Sequence, residues 1–315
     1  MARFVELFGV IAILAGIAGP GMSLLDFLER QFIFFPSSQV ERTPADVGLP
    51  YEDVRFETED GLFLNGWFIP APVASAPGER GSSDVTLLWL HGNGGNTGHR
   101  ADDLALMHYL LGVNVFIFDY RGYGESQGKP SERGVYRDSR AALSYMTSRE
   151  DVNSERIVYF GRSLGAAVAT ELALQQRPFG MILYSPFTSI SDLGRDLYPY
   201  SPIRFLAGKR FDSLSRIAQY RGPLLVIHGA ADEIIPVDHG RRLYQAANQP
   251  KSFHEIPGAR HNDGMGEAGT ETWTVIQEYL DSLPSAKPPT RTYDAKDTGT
   301  PASSTFQSEI IRRSP

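Results

Sequence analysis

The sequence predicts an α/β protein with a mostly parallel eight-stranded sheet and flanking helices. Short apolar runs alternate along the chain with stretches of helical period, a pattern typical of layered α/β folds. One of these runs leads directly into a Gly-x-Ser-x-Gly turn, which is followed by small helix-forming residues. The composition, with 42% hydrophobic and 21% charged residues, is that of an ordinary globular protein.

The predicted strands follow from apolar runs bounded by turn residues. The first two runs, residues 51–57 and 62–69, flank Asp60-Gly61 and predict an antiparallel hairpin. The later runs are short and continuously apolar, which indicates burial on both faces and therefore parallel pairing. These later runs are residues 85–90, 113–118, 157–160, 181–184, 224–227 and 253–256. Helices are predicted around Leu104, Ala141, Val168, Leu243 and Trp273.

Both ends of the chain are predicted to lie outside the folded domain. A chain of 315 residues fits one domain of about 250 residues with extensions. Residues 7–25 are uncharged and long enough for a membrane helix, so residues 1–30 are expected to form a single-pass anchor. The alternatives are a cleaved signal peptide, which would make the protein secreted or periplasmic, and a buried helix. Residues 284–315, rich in Pro, Ser and Thr, are expected to be a disordered tail.

The aromatic stretch at residues 27–36 is compatible with two locations. It suits the membrane interface, where aromatic and amphipathic residues are favoured, and it equally suits packing against the domain. The sequence leaves both locations open.

Charge and cysteine content exclude several functional classes. The net charge of −7 gives no basic surface for nucleic acid. The absence of cysteine removes disulfides, Cys-ligated zinc, iron–sulfur clusters and a thiol nucleophile. The serine segment also lacks a P-loop or a dinucleotide-binding fingerprint. We therefore expect no cofactor, no metal and no nucleic-acid partner, and the sequence does not indicate a protein partner.

Ser163 is the candidate nucleophile. It stands in Gly161-Arg162-Ser163-Leu164-Gly165, between an apolar strand and a helix of small residues. In that context the motif predicts a nucleophile elbow, a strained strand-to-helix turn that exposes the serine hydroxyl. Gly161 and Gly165 leave space where the strand and the helix approach each other.

A serine nucleophile needs a base and an orienting carboxylate. His261 is the candidate base because it lies in a loop after the last predicted strand. Asp232 is the candidate acid because it follows the strand at 224–227 by a short loop, and Glu233 is the weaker alternative. Other weaker candidates are Asp119 and Asp192 for the acid, and His228, His239 and His254 for the base.

Two backbone amides are predicted to form an oxyanion hole. One is the amide of Leu164, the residue after the nucleophile. The other is the amide of Asn93, in the glycine-rich loop His91-Gly92-Asn93-Gly94-Gly95-Asn96 that follows the third strand. His91 is expected to brace this loop, and Asp119 and Arg121 are expected to shape a rigid turn near it.

These motifs, taken in order, resemble the α/β-hydrolase superfamily over residues 31–283. More narrowly, they resemble its bud-emergence-related branch of membrane-anchored serine hydrolases. The resemblance implies an α/β-hydrolase fold, a Ser163–Asp232–His261 triad and a short N-terminal membrane segment. Related depalmitoylating enzymes are anchored through N-terminal cysteines, which this chain lacks. The segments that carry the resemblance are residues 32–36, 91–96, 119–126, 161–165, 185–189, 228–236 and 261–262.

The expected function is hydrolysis of carboxylic esters or thioesters through an acyl-enzyme. Residues 186–221 form an apolar lid insert, which favours a small-molecule or lipid-like acyl substrate. A serine aminopeptidase is the first alternative, with Asp192 or Asp196 available to recognise a substrate ammonium. A non-catalytic membrane-anchored scaffold on a hydrolase fold is the second alternative.

Overall fold

The computed structural model describes residues 33–72, 84–197, 210–263, 265–266 and 269–284. Two compact units divide the chain, Met1–Leu283 and Pro284–Pro315, and all described residues except Pro284 belong to the first. The predicted anchor at residues 1–30 lies outside the described residues, as does the predicted tail apart from Pro284. Within the described ranges no helix is long and apolar enough to cross a bilayer.

The central sheet has eight strands, as predicted, in the order β8-β7-β6-β5-β3-β4-β2-β1. Strand β2 pairs antiparallel with β1 and with β4, and all other neighbours are parallel, so the predicted initial hairpin and the mostly parallel sheet are confirmed. The strands are β1 Glu52–Glu57, β2 Phe63–Ile69, β3 Thr86–Leu90, β4 Asn114–Phe118, β5 Ile157–Arg162, β6 Gly180–Tyr184, β7 Leu224–Gly229 and β8 Lys251–Ile256.

Helices cover both faces of the sheet, which is why its central strands are continuously apolar. Leu88 and Leu90 of β3 face one core cluster, while Leu87 and Trp89 face the other. The first cluster includes residues of α2, α3, α5 and α6, and the second includes residues of α1 and α7. The helices are α1 Ala101–Leu111, α2 Glu132–Ser148, α3 Leu164–Gln175, α4 Ile190–Leu197, α5 Ser213–Ile217, α6 Asp238–Ala246 and α7 Gly269–Ser282.

The described parts of the insert at residues 186–221 pack against the domain. They contain α4 and α5, which the sequence did not predict as helices. Phe187 and Phe211 are buried, and their rings meet edge to face with centroids 6.4 Å apart. These two side chains therefore belong to the core. The apolar side chains Tyr198, Tyr200, Ile203, Phe205 and Leu206, on which the lid prediction also relied, lie outside the described residues.

A two-residue parallel ribbon, not predicted from the sequence, joins the start of the domain to the glycine-rich loop. It pairs Phe35–Pro36 with Gly94–Gly95. Ile33 and Phe34 are buried, whereas Phe35 is 54% exposed. The described end of the aromatic stretch thus packs on the domain through Ile33 and Phe34 and presents one aromatic ring to the surroundings.

Candidate active site

Ser163 occupies a strained turn between β5 and α3. Its backbone has φ 53° and ψ −115°, a conformation that costs energy for a residue with a side chain. A Cβ added to Gly165 would lie 1.8 Å from the Leu90 carbonyl oxygen, and one added to Gly161 would lie 2.5 Å from the Gly165 oxygen. Only glycine fits at either position. The first turn of α3 also directs unsatisfied amides and positive potential toward the serine.

Asp232 and His261 meet at the carboxyl edge of the sheet. His261 Nδ1 lies 2.8 Å from Asp232 Oδ2, and the two residues are 8% and 6% exposed. The loop with Asp232 follows β7 and the loop with His261 follows β8, and these two strands are neighbours in the sheet. The loops are also joined directly, because the Ala231 amide donates to the Ala259 carbonyl at 3.0 Å. The structure therefore brings together two of the predicted residues that lie 29 positions apart in the chain.

The surroundings of Asp232 favour its carboxylate form. Burial alone would favour the neutral acid, but hydrogen bonds from His228, His261 and the Ile235 amide outweigh it and hold the pKa of Asp232 well below its ordinary value. Oδ1 accepts the Ile234 and Ile235 amides at 3.0 and 2.7 Å, and Oδ2 faces His261 Nδ1 at 2.8 Å and His228 Nε2 at 3.4 Å. Because an ionised carboxylate only accepts, His261 Nδ1 carries a proton, and the neutral tautomer that fits this contact has its lone pair on Nε2.

Ser163 lies at the same edge of the sheet, next to two loops. One is the glycine-rich loop at residues 91–96, and the other is the loop after β8 that carries His261, called the histidine loop below. A Cβ added to Gly92 would lie 3.6 Å from Ser163 Cβ, which places the Gly92 backbone close to the serine side chain. The side chain of Arg162 donates to the His261 carbonyl oxygen at 3.1 Å. Among the described residues Ser163 Oγ has no hydrogen bond to the His261 ring, so the serine–histidine link of the predicted triad stays a prediction.

The loop that carries Asn93 is fixed from several sides. Tyr123 Oη donates to the Asn93 carbonyl at 2.7 Å, and the Phe35 amide donates to the same oxygen at 3.0 Å. The Asn93 side chain donates to the Ile33 carbonyl at 3.0 Å. Within the described residues neither the Asn93 nor the Leu164 amide donates a loop hydrogen bond. The Asn93 carbonyl and side chain are therefore held in place, and the role of the Asn93 and Leu164 amides as oxyanion donors stays a prediction.

Two buried side chains, Asp119 and His91, support the same loop. Asp119 accepts hydrogen bonds from the Thr97 amide and hydroxyl at 2.9 and 3.0 Å, and His91 Nδ1 donates to the Gly92 carbonyl at 2.7 Å. Burial raises the pKa of Asp119 to about 7 and lowers the pKa of His91 to about 3. His91 thus braces the loop, as expected, while Asp119, which was expected to shape the nearby turn, also holds Thr97 at the end of the loop.

The weaker sequence candidates have other partners. Glu233 is paired with Arg260 at 3.1 Å on the surface. His254 Nε2 lies 3.3 Å from Thr272 Oγ1, and His228 Nε2 donates to the Ile235 carbonyl at 2.8 Å. Arg121 is bound to Asp138 and Asp60. None of these contacts places Glu233, His254 or Arg121 beside Ser163.

Asp192 and Asp196 belong to a charge cluster that joins α4 to α6. Asp192 is bound by the Thr188 hydroxyl, Arg195 and Arg242, and Asp196 lies 3.2 Å from His239 Nε2 and 3.6 Å from Arg242. Burial lowers the pKa of His239 to about 4, so that ring is neutral near pH 7. The arginines already neutralise the two carboxylates.

Sequence reasoning missed two residues that contact the histidine loop. Arg162, inside the Gly-x-Ser-x-Gly motif, pairs with Asp103 of α1 at 3.2 Å. Asp103 Oδ1 also accepts the Met265 amide at 3.0 Å. The one available signal was an arginine in an otherwise apolar strand end, because a buried guanidinium needs partners. Among the described residues no group of three or more His, Asp or Glu side chains could hold a metal ion.

Comparison with known proteins finds a matching family model and several relatives that align with most of this chain. Residues 81–215 match the family described as serine aminopeptidase, S33. An uncharacterized protein of Mycobacterium tuberculosis is 41% identical over 271 residues, which is 86% of this chain and 94% of the relative. The α/β-hydrolase domain-containing protein WAV2 of Arabidopsis thaliana is 32% identical, over 84% of this chain and 92% of the relative. Protein bem46 of Schizosaccharomyces pombe is 35% identical, over 78% and 82%.

A solved structure supports the fold. The Pyrococcus furiosus esterase Pf2001 superposes with a TM-score of 0.65 at 24% identity, over 80% of this chain and 98% of that protein. The strand order and the strained serine turn define an α/β hydrolase. This chain belongs to the α/β-hydrolase superfamily, in the branch that contains bem46, as its motifs predicted.

Proposed function

We propose that this protein is a serine hydrolase that cleaves carboxylic esters or thioesters through an acyl-enzyme. The observation that carries the proposal is the 2.8 Å contact between His261 Nδ1 and Asp232 Oδ2, at the edge of the sheet where Ser163 occupies its strained turn. This arrangement leaves the Nε2 lone pair of His261 free to act as a general base.

The reaction proceeds in two halves. Ser163 Oγ attacks the substrate carbonyl carbon while its proton passes to His261 Nε2, and the carbonyl oxygen becomes an oxyanion bound by the Asn93 and Leu164 amides. Collapse of this intermediate breaks the bond to the leaving group, which takes the proton from His261. Water then attacks the acyl-enzyme and gives a proton to His261. Collapse of this second intermediate breaks the bond to Ser163 Oγ, which takes the proton back from His261, and the acid is released. Asp232 keeps the imidazole oriented and stabilises its charged form.

The substrate class follows from the charges around the insert. A substrate ammonium needs an unpaired carboxylate, but the two acids considered for that role, Asp192 and Asp196, are bound by arginines. This favours uncharged acyl groups, such as those of small esters or lipids, over aminoacyl groups. The aminopeptidase remains the second candidate because the matching family carries that description.

Two measurements test the proposal. A fluorophosphonate probe should label the wild-type protein and should not label Ser163→Ala. Acyl p-nitrophenyl esters of graded chain length, and thioesters of matched acyl chains, should be cleaved faster than aminoacyl p-nitroanilides. Equal labelling of both proteins would refute the serine assignment. Faster cleavage of the anilides would favour the aminopeptidase, and binding of a partner without any turnover would favour the scaffold.

We also propose that residues 7–25 anchor the enzyme to a membrane as a single helix, with the hydrolase domain on one side. The support is the uncharged length of this segment. Extraction of full-length protein with alkaline carbonate tests it, because an anchored chain stays in the pellet. Release of a shortened chain into the soluble fraction would instead favour signal cleavage and a secreted or periplasmic protein.

A further inference from the structure

A buried ion pair lies between the serine turn and the histidine loop, and the mechanism above does not use it. Arg162 directly precedes Ser163, and Asp103 lies in the first turn of α1. Arg162 Nη1 is 3.2 Å from Asp103 Oδ2, and both residues are 9% exposed. Removing two charges from water costs energy that their attraction only partly offsets, so such a pair is weak evidence for a role in stability alone.

The hydrogen bonds of this pair all reach the same backbone segment. Arg162 Nη2 donates to the carbonyl oxygens of His261 at 3.1 Å and of Asp263 at 3.0 Å. Asp103 Oδ1 accepts the Met265 amide at 3.0 Å. The guanidinium also lies over the Tyr184 ring, 5.4 Å from its centroid, which restricts its orientation. The Arg162 guanidinium and the Asp103 carboxylate together thus hold the backbone at residues 261, 263 and 265.

We propose that Arg162 and Asp103 are positioning residues that fix His261 relative to Ser163. The inference rests on the proposed function, because the position of His261 matters only if its imidazole serves the serine. A general base must stay within about 2.6–3.2 Å of the proton it abstracts, and an error of about 1 Å can cost 10²-fold in rate. Since the guanidinium is attached one residue before the nucleophile, it links the serine turn directly to the backbone that carries His261. Asp232 orients the imidazole ring, whereas Arg162 holds the backbone that carries it.

Steady-state hydrolysis of p-nitrophenyl butyrate by full-length variants tests the proposal. We expect Arg162→Met to lower kcat about 10- to 100-fold with KM changed less than about twofold, since remote positioning affects the reacting geometry more than binding. Arg162→Lys should recover part of kcat, because an ammonium can still bridge a carbonyl and Asp103. Arg149→Met is the matched control. The Arg149 side chain is 12% exposed, against 11% for Arg162, is ion-paired and lies over the Phe68 ring, but it contacts no residue of the site.

Hydrogen exchange gives a second readout that needs no activity. Arg162→Met should accelerate amide exchange in residues 257–263, 265 and 266, and Arg149→Met should not. If the wild type neither hydrolyses esters nor reacts with a fluorophosphonate, the proposed function fails. Hydrogen exchange alone then decides whether Arg162 and Asp103 hold the backbone around His261. Wild-type kcat in folded Arg162→Met, or unchanged exchange in that segment, would overturn the inference. If Arg162→Met does not fold, Asp103→Asn decides in the same assays, and an unchanged kcat and exchange rate would overturn it.

Discussion

Replacement of Asp232 by Asn tests the orienting role of the carboxylate, because the two backbone amides bind one of its oxygens and the two histidines face the other. Oδ1 accepts the Ile234 and Ile235 amides, and an asparagine carbonyl can keep both bonds. Oδ2 accepts from His261 Nδ1 at 2.8 Å, and an amide NH₂ in its place donates instead. His261 is then forced into the tautomer with the proton on Nε2, which cannot accept a proton from Ser163.

The expected cost is about 10⁴-fold in kcat, the order of magnitude for a wrong tautomer in such a triad. This corresponds to about 5.4 kcal/mol of transition-state stabilisation. KM should change little. Because the pKa of Asp232 is lowered on folding, its carboxylate stabilises the protein above the unfolded pKa near 4, and Asp232→Asn loses that contribution at pH 7.

The assay combines ester hydrolysis, fluorophosphonate labelling and thermal unfolding of Asp232→Asn. Asp84→Asn is the matched control because it makes the same substitution at an exposed carboxylate, which is paired with Arg156 at 2.6 Å just before β3. It should keep wild-type activity. Retention of more than a tenth of wild-type kcat by folded Asp232→Asn would refute the reasoning, as would an equal loss in Asp84→Asn.

Three further predictions address the turn, the loop and the start of the domain. Gly165→Ala should not accumulate as folded protein, because its Cβ would lie 1.8 Å from a backbone oxygen. The control Gly194→Ala should fold normally, because a Cβ there meets no atom within 4 Å. Thermal unfolding of the soluble fractions checks both expectations. Asp119→Asn should gain stability relative to wild type as the pH rises from about 4 to 8, by at most about 4 kcal/mol. Because the pKa of Asp119 is raised in the folded protein, folding of the wild type takes up a proton between about pH 4 and pH 7, and the wild type therefore loses stability as the pH rises through that range. The asparagine variant has no such group. Chemical denaturation at pH 5 and pH 8 measures this difference, and a difference independent of pH would contradict it. A chain beginning at Gln31 should keep wild-type kcat/KM for p-nitrophenyl butyrate. One beginning at Gln39 should lose about 10²-fold, since it lacks the groups that hold Asn93, and equal activity of the two chains would contradict this.

Much of the fold was predictable because burial leaves a periodic record in the sequence. All eight strands of the central sheet were predicted. The strands β3 to β7 stand out because they are buried on both faces and are therefore almost continuously apolar. The helices α4 and α5 were not predicted. They are short, with 8 and 5 residues, so neither shows enough turns for a helical period to stand out from the apolar insert. The ribbon at Phe35–Pro36 was also missed, because two residues carry no period at all.

The candidate site divides in the same way. The sequence by itself determined which residue types follow which strand, and therefore that Ser163, Asp232 and His261 would lie at one edge of a parallel sheet. Only the tertiary structure decided what fixes them there. The Arg162–Asp103 pair joins residues 59 positions apart, and the ribbon pairs Phe35 with Gly94. Local patterns encode burial and turns, but contacts between distant loops depend on the order of strands in the sheet and on how each loop leaves its strand.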